Sequence, residues 1–181
     1  MKDKKTILSV FIGVLILATP CFANFKQEIV DGKRVVKFST NHLELPGEIY
    51  NQPIELKLIT KDAVNFSSPV DTLESMYSSN KIGDAQWIMK GFTEEDKEGM
   101  KNLVSDPQIL KKNTDFFALM KQANILGVVE YGQYKIYLIE QVFDRGSYMV
   151  PVALINVSGQ WLRTNVLKAD KTFDAIFMSI S

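Results

Sequence analysis

Apolar and polar positions along the chain fall into four stretches of different period. From Ile7 to Ala18 apolar residues dominate without a charge. Between Phe25 and Thr60 they alternate: Lys33–Phe38 follows an Asp31-Gly32 turn, and Ile54–Leu58 switches strictly between apolar and polar, both of which predict strands. The pairs Pro46-Gly47 and Gln52-Pro53 are expected to cut this zone into short strands and a loop. A strand pair of that size is marginal alone, so it should lie against the rest of the protein.

The third stretch is helical. Ser68-Pro69-Val70-Asp71 offers a Ser cap, Pro at the first helical position and an early acid, after which Val70, Leu73, Met76 and Tyr77 recur at helical spacing. Gly83 suits the end of this helix and Asp84 the start of the next, which carries Trp87. Thr93-Glu94-Glu95-Asp96 and Asp106-Pro107 open two more, with Met100, Leu103 and Val104 on the first and Ile109, Leu110, Phe116, Phe117 and Met120 on the second. Acids at the starts of these helices read as solvated caps.

The fourth stretch, Asn124 to Leu167, is a meander of strands. Tyr131–Tyr134, Asp144–Ser147 and Val157–Gln160 each place a Gly in a tight connection, and two-residue loops would set those residues opposite each other. One face then carries Val129, Ile136, Leu138, Val142, Met149, Ala153, Ile155, Leu162 and Val166. The other carries Val128, Tyr137, Ile139, Phe143, Tyr148, Val150, Val152, Leu154, Trp161 and Leu167, with Glu130 opposite Lys135. Both faces are apolar, so each needs a cover: helices on one, and the N-terminal strands, a ligand or a second copy on the other. Phe173–Met178 reads as either a last strand or a docked tail.

The first stretch changes the balance of the rest. Lys2, Lys4 and Lys5, the apolar run and Thr19-Pro20-Cys21-Phe22-Ala23 have the form of a secretory leader, with cleavage expected after Ala23. The run is short of the roughly 20 apolar residues that span a bilayer. An uncleaved anchor and a lipoprotein processed at Cys21 are weaker readings, the latter because Pro20 stands where a small residue is wanted. The leader takes three lysines and one aspartate from 21 basic and 21 acidic residues, leaving 18 and 20 and a formal charge of −2. It also takes the one Cys, so no disulfide or thiol chemistry is expected, and a periplasmic or secreted bacterial protein fits best. No clustered basic face points to nucleic acid, and no stable membrane insertion is expected once the leader is gone.

The Gly83-Asp84-Ala85-x-Trp87 bend among capped helices, followed by a long meander in which Ser158-Gly159-Gln160-Trp161-Leu162 opens a late strand, resembles the nuclear transport factor 2-like superfamily over about residues 68–177. The resemblance implies an α+β cone: short helices packed on a curved antiparallel sheet, a pocket at the open end, and in many members a homodimer through a sheet face. The corresponding division is a leader at 1–23, an extra N-terminal β segment at 24–62 and the α+β domain at 68–181. Enzymes of the superfamily use an Asp or His acid/base inside the cone, while many other members only bind.

Candidate chemistry is sparse. The sole histidine, His42, lies in the N-terminal zone and reads as a surface loop residue. One His and no mature Cys leave no ordinary zinc site, and no phosphate loop, nucleophile elbow or dinucleotide fingerprint appears, so neither metal nor cofactor is expected. Glu140, on an otherwise apolar strand, is the candidate general base; pairing with Arg145 or a place at the sheet's rim is its structural alternative. Trp87, Phe92, Tyr137, Tyr148, Trp161 and Arg163 are the candidate ligand-binding residues, with Phe116 and Phe117 as further aromatics and Asn156 and Asn165 as polar companions of Arg163. The preferred expectation is an exported, non-catalytic binding or accessory protein with an apolar ligand pocket. Two alternatives stand beside it: a cofactor-independent isomerase, dehydratase or cyclase, and an immunity-type or envelope module that binds a protein partner.

Overall fold

The computed structural model describes residues 25–181, so the leader and its cleavage point lie outside the described residues. In chain order the elements are β1 (Phe25–Val30), β2 (Lys33–Phe38), β3 (Leu43–Glu55), α1 (Pro69–Ile82), α2 (Ala85–Lys90), α3 (Glu94–Ser105), α4 (Pro107–Leu119), β4 (Gln122–Tyr131), β5 (Tyr134–Phe143), β6 (Gly146–Val157), β7 (Gln160–Arg163) and α5 (Lys171–Ile180). The seven strands form one open antiparallel sheet in the order β1 to β7, with four helices inserted between the neighbours β3 and β4. No helix among the described residues is long and apolar enough to cross a membrane.

Helix starts follow from local chemistry. Ser68 Oγ accepts from the Asp71 N–H with Pro69 at the first helical position, and Gly83 ends α1 in the left-handed conformation at φ 76°. Asp84 caps α2 through the Trp87 N–H, and Asp106 caps α4 through those of Gln108 and Ile109. Asp170 does the same for α5 through Thr172 and Phe173. Phe173–Met178 is therefore helical and docks as a tail, not a last strand.

The two-faced pattern of the meander is present in three dimensions. One core holds Val129, Ile136, Leu138 and Ala153 of the sheet with Val36, Phe38, Leu45, Ile176 and Ile180; the other holds Ile125, Tyr137, Ile139, Val152 and Leu154 with Leu73, Met76 and Tyr77 of α1. The β1–β2 hairpin and α5 cover the first face. Asn41, in the β2–β3 turn, donates to Ala175 O and Ser179 Oγ of α5, and Gln27 Oε1 of β1 accepts from the Ile49 N–H of β3. Tyr131 pairs with Tyr134, Val157 with Gln160 and Glu130 with Lys135, as expected. The middle hairpin turns one residue earlier: Phe143 pairs with Gly146, so the turn is Asp144-Arg145 and Gly146 enters β6 at φ 143°.

Several expectations are corrected. The nuclear transport factor 2-like resemblance fails on topology: the strands form an open meander in simple chain order, extended by β1–β3, with a C-terminal helix and a hairpin on the face away from α1. Pro46-Gly47 does not interrupt β3, which runs for 13 residues and changes partner there, pairing with β2 up to Pro46 and with β4 from Gly47. Gly47 is small because β4 lies against it: a Cβ would sit 2.4 Å from Val128 O and 2.9 Å from Val129 Cα. Gln52-Pro53 falls inside a register shift between Ile49 and Ile54. Strand β3 ends at Glu55, so the alternation of Ile54–Leu58 is strand only in its first two residues. Leu167 lies in a 3-10 turn, Val166–Ala169, and packs in the α5-side core, opposite to its expected face.

These roles give two glycine substitutions opposite signs. Gly47→Ala should destabilise the protein by about 1–3 kcal/mol, since backbone atoms must move. Gly99→Ala, within exposed α3 where a Cβ meets nothing inside 4 Å, should stabilise it by roughly 0.5–1 kcal/mol. Urea unfolding of the two variants beside the parent tests the pair.

Candidate functional site

Strand β7 is four residues long, and its outer edge is occupied by loop backbone. The Trp161 N–H donates to Phe66 O (2.8 Å), the Arg163 N–H to Gly91 O (2.8 Å), and the Thr93 N–H to Arg163 O (3.1 Å). Thr72 Oγ1 of α1 adds a 2.6 Å bond to Trp161 O. On the inner side, Thr164 N–H donates to Ala153 O, after which the chain turns away and leaves β6 without a β7 partner before Leu154. Backbone groups two residues apart on a strand point the same way, so Pro151 directs its donor-less nitrogen toward this open edge and blunts it.

A groove of about 160 Å³ lies where β7 stops, lined by Val150–Ala153, Arg163, Thr164, Asn165, Leu167, Lys168, Phe173 and Phe177. Arg163 is its distinctive member. Its Cζ sits 4.9 Å from the centre of the Phe92 ring and its Nη1 lies 3.5 Å from Met76 Sδ, with no carboxylate in ion-pair range among the described residues. Burial pulls the guanidinium pKa down, opposed by Tyr77 and Asp96 at longer range, yet a guanidinium keeps its proton. The result is a desolvated cation held by a ring face and a thioether.

Two neighbours set the field around it. Burial works against the charged form of Asp96, but bonds from Thr93 Oγ1, the Thr164 hydroxyl and the Asn165 N–H, with the Lys168 charge, hold its carboxyl below the usual range. It therefore tethers α3 to the groove and stays an anion. The buried Tyr77 phenol accepts from Gln141 Nε2 at 2.9 Å, and burial pushes its pKa up to about 12. It is a neutral hydroxyl at physiological pH.

A larger cleft of about 320 Å³ lies between the residues after β3, α1 and the start of β4, lined by Glu55–Leu58, Tyr77, Lys81 and Met120–Ala123. Two of its four charged side chains are engaged: Lys81 donates to Met120 O and Lys121 pairs with Asp144.

Of the residues singled out from sequence, Phe92 and Arg163 meet, and the β7 backbone at Trp161 lies beside them. Trp87 is a core residue whose Nε1–H donates to Ser75 Oγ at 2.7 Å. Tyr137 is buried in the helix-side core, and its phenol pKa is raised by burial, then by Tyr50 and Glu130. Trp161 lies under the Lys135 ammonium, 5.3 Å from its ring centre, and Tyr148 is exposed on the β5–β6 hairpin. Glu140 stands on the α5-side face, accepts from Asn124 Nδ2 at 3.0 Å, and lines neither cleft; Asn124 in turn accepts from Gln122. Asn156 closes the last hairpin through the Gly159 N–H, while Asn165 does line the groove. His42 is exposed in the β2–β3 turn.

Residues in or beside the groove that sequence reasoning missed include Met76 and Asp96, which contact its lining, and the lining residues Thr164, Lys168, Phe173 and Phe177. A signal existed for the last two: Asp170 as a cap with Phe173, Ile176, Phe177 and Ile180 at helical spacing. Asp96 carried none, because an acid in a first helical turn looks the same whether or not it also reaches another element.

No protein-family model matches the sequence, and no curated protein matches it. Among solved structures the chain is similar to a SEC-C motif-containing protein from Rhodopseudomonas palustris, at 18% identity and a TM-score of 0.42, over 56% of this chain and 78% of that one.

The Asp96 tether predicts a pH signature. Its folded pKa lies below the unfolded value, so its stabilisation is present above about pH 4 and is lost as pH falls through the folded pKa. Asp96→Asn should cost roughly 1 kcal/mol at pH 7 after solvent screening, and its difference from the parent should vanish in acid. Urea midpoints at several pH values check this, and a difference constant in pH would remove the charge from the explanation.

Proposed function

We propose that the protein is an exported, non-catalytic binding module that takes a ligand with an anionic end and an apolar body in the groove beside Arg163. The observation that carries this reading is Arg163, a residue of the groove lining whose guanidinium has no ion pair among the described residues. A buried cation without a counterion is costly to keep, and a ligand carboxylate arriving there gains a charge-assisted, two-pronged hydrogen bond. Lys168 adds a second positive charge, and Phe173, Phe177, Val150 and Leu167 supply apolar walls for the ligand body. Export rests on the basic, apolar and small-residue segments of the first 23 residues.

Catalysis has less support. An acid/base mechanism needs a titratable group inside the site, near its operating pH. Asp96 is held as a carboxylate, Tyr77 as a phenol, and Glu140 does not line the groove but accepts from Asn124.

Octanoate titrated into the isotope-labelled protein, followed by amide NMR, tests the proposal. Saturable shifts should gather at residues 150–153, 163–168 and 173–177, and Arg163→Met should weaken binding by about tenfold or more, the factor expected for one charge-assisted bond. Met fills similar volume, so the variant should fold with stability equal to or above the parent's. Octanoate shifts that survive Arg163→Met, or that fall outside the groove, would sink the reading.

A further inference from the structure

A second surface stands apart from the groove. Helix α4 has no buried residue, although its inner stripe packs on α1: Asn113 Nδ2 donates to Asn80 Oδ1, and the Phe117 ring meets Tyr77 at 5.7 Å. A second stripe, Ile109, Phe116 and Leu119, faces solvent, with these residues 42%, 47% and 70% exposed. Phe116 leans on Phe143 of the β5–β6 hairpin at 5.3 Å, and Phe143 on Tyr148 at 5.6 Å, which is 64% exposed. The ion pair between Lys121 and Asp144 ties the end of α4 to that hairpin. Helix and hairpin thus present one continuous apolar surface.

Charge identifies what covers it. Helix α4 and the β5–β6 hairpin carry Lys111, Lys112, Lys135 and Arg145 against Asp115, Glu140 and Asp144, and Lys121 follows the helix. Asp115 and Asp144 already pair with Lys111 and Lys121, and Glu140 accepts from Asn124, which leaves Lys112 and Arg145 without an ion pair among the described residues. A second copy docked through the same surface would bring like charges together. An anionic bilayer complements the positive rim, takes Phe, Leu and Ile at the acyl boundary and suits Tyr at the headgroup level.

We propose that the α4 and β5–β6 hairpin surface seats this protein peripherally on an anionic lipid membrane. The test is co-sedimentation of the leader-free protein with vesicles of equal parts phosphatidylglycerol and phosphatidylcholine, beside vesicles of phosphatidylcholine alone. Binding should need the anionic lipid, weaken with salt, and fall more than about tenfold in the Lys112→Glu, Arg145→Glu double variant. Combined Phe116→Ser, Leu119→Ser and Tyr148→Ser should abolish it. The charge-reversed residues are exposed, so that variant decides the matter even if the triple variant folds poorly. Absence of binding, equal binding to neutral vesicles, or a dimer in sedimentation velocity that the triple variant dissolves would each overturn the proposal. Arg163→Met should leave vesicle binding unchanged, so this surface and the groove stand or fall separately.

Discussion

A sheet that is apolar on both faces must be covered on both, and most of this architecture answers that demand. Antiparallel sheets commonly leave one face to water and alternate accordingly. Here β5 and β6 bury residues on both sides, so helices on a single face would expose Val129, Ile136, Leu138 and Ala153. The chain meets the requirement from its two ends. Helix α1, with α4 against it, lies over one face between β3 and β4, while the first hairpin and α5 close over the other.

Strand β4 shows how closely the two faces are matched. Ile125 pairs with Ile139 and Gly127 with Leu138, so Leu126 is an extra residue and the alternation changes phase there. Before the bulge, odd positions such as Ala123 and Ile125 point to the helices; after it, the even Val128 does, and Val129 points to α5. On the other side β3 makes a longer excursion between Ile49 and Ile54. The close approaches of Gly47 and Gly127 are the local condition for that pairing, since a Cβ on either would sit within 2.5 Å of a carbonyl oxygen of the facing strand.

This explains which parts of the fold were legible in the sequence. The faces of the meander were read correctly for most positions even though one hairpin register was not, because that error was a shift of two residues and side chains repeat with period two. Caps at Ser68, Asp84 and Asp106 were legible because they depend on adjacent residues only. The continuity of β3 was not, because Pro46-Gly47 is the same dipeptide whether it bends a turn or lets two strands approach. The groove was half legible for a related reason. Arg163 and Phe92 stand out as unusual residues, but Lys168 sits in the Val166–Ala169 turn and Phe173 and Phe177 arrive through α5, whose apolar run suits either period.

The remaining question is why a guanidinium would be kept where apolar packing would be cheaper. Stacking on Phe92 recovers part of the desolvation cost, since a cation over an aromatic face gains about 0.5–2 kcal/mol. A carboxylate within reach would recover more, and the nearest anion, Asp96, is instead committed to Thr93, Thr164 and the Asn165 N–H. That commitment matters. If Asp96 paired with Arg163, the groove would be electrically closed; tied to the helix start and the turn after β7, it fixes the walls and leaves the cation to whatever enters. A residue retained only for packing would be served as well by Met or Leu at this position, whereas an anion-binding groove needs the charge unpaired until the ligand supplies its partner.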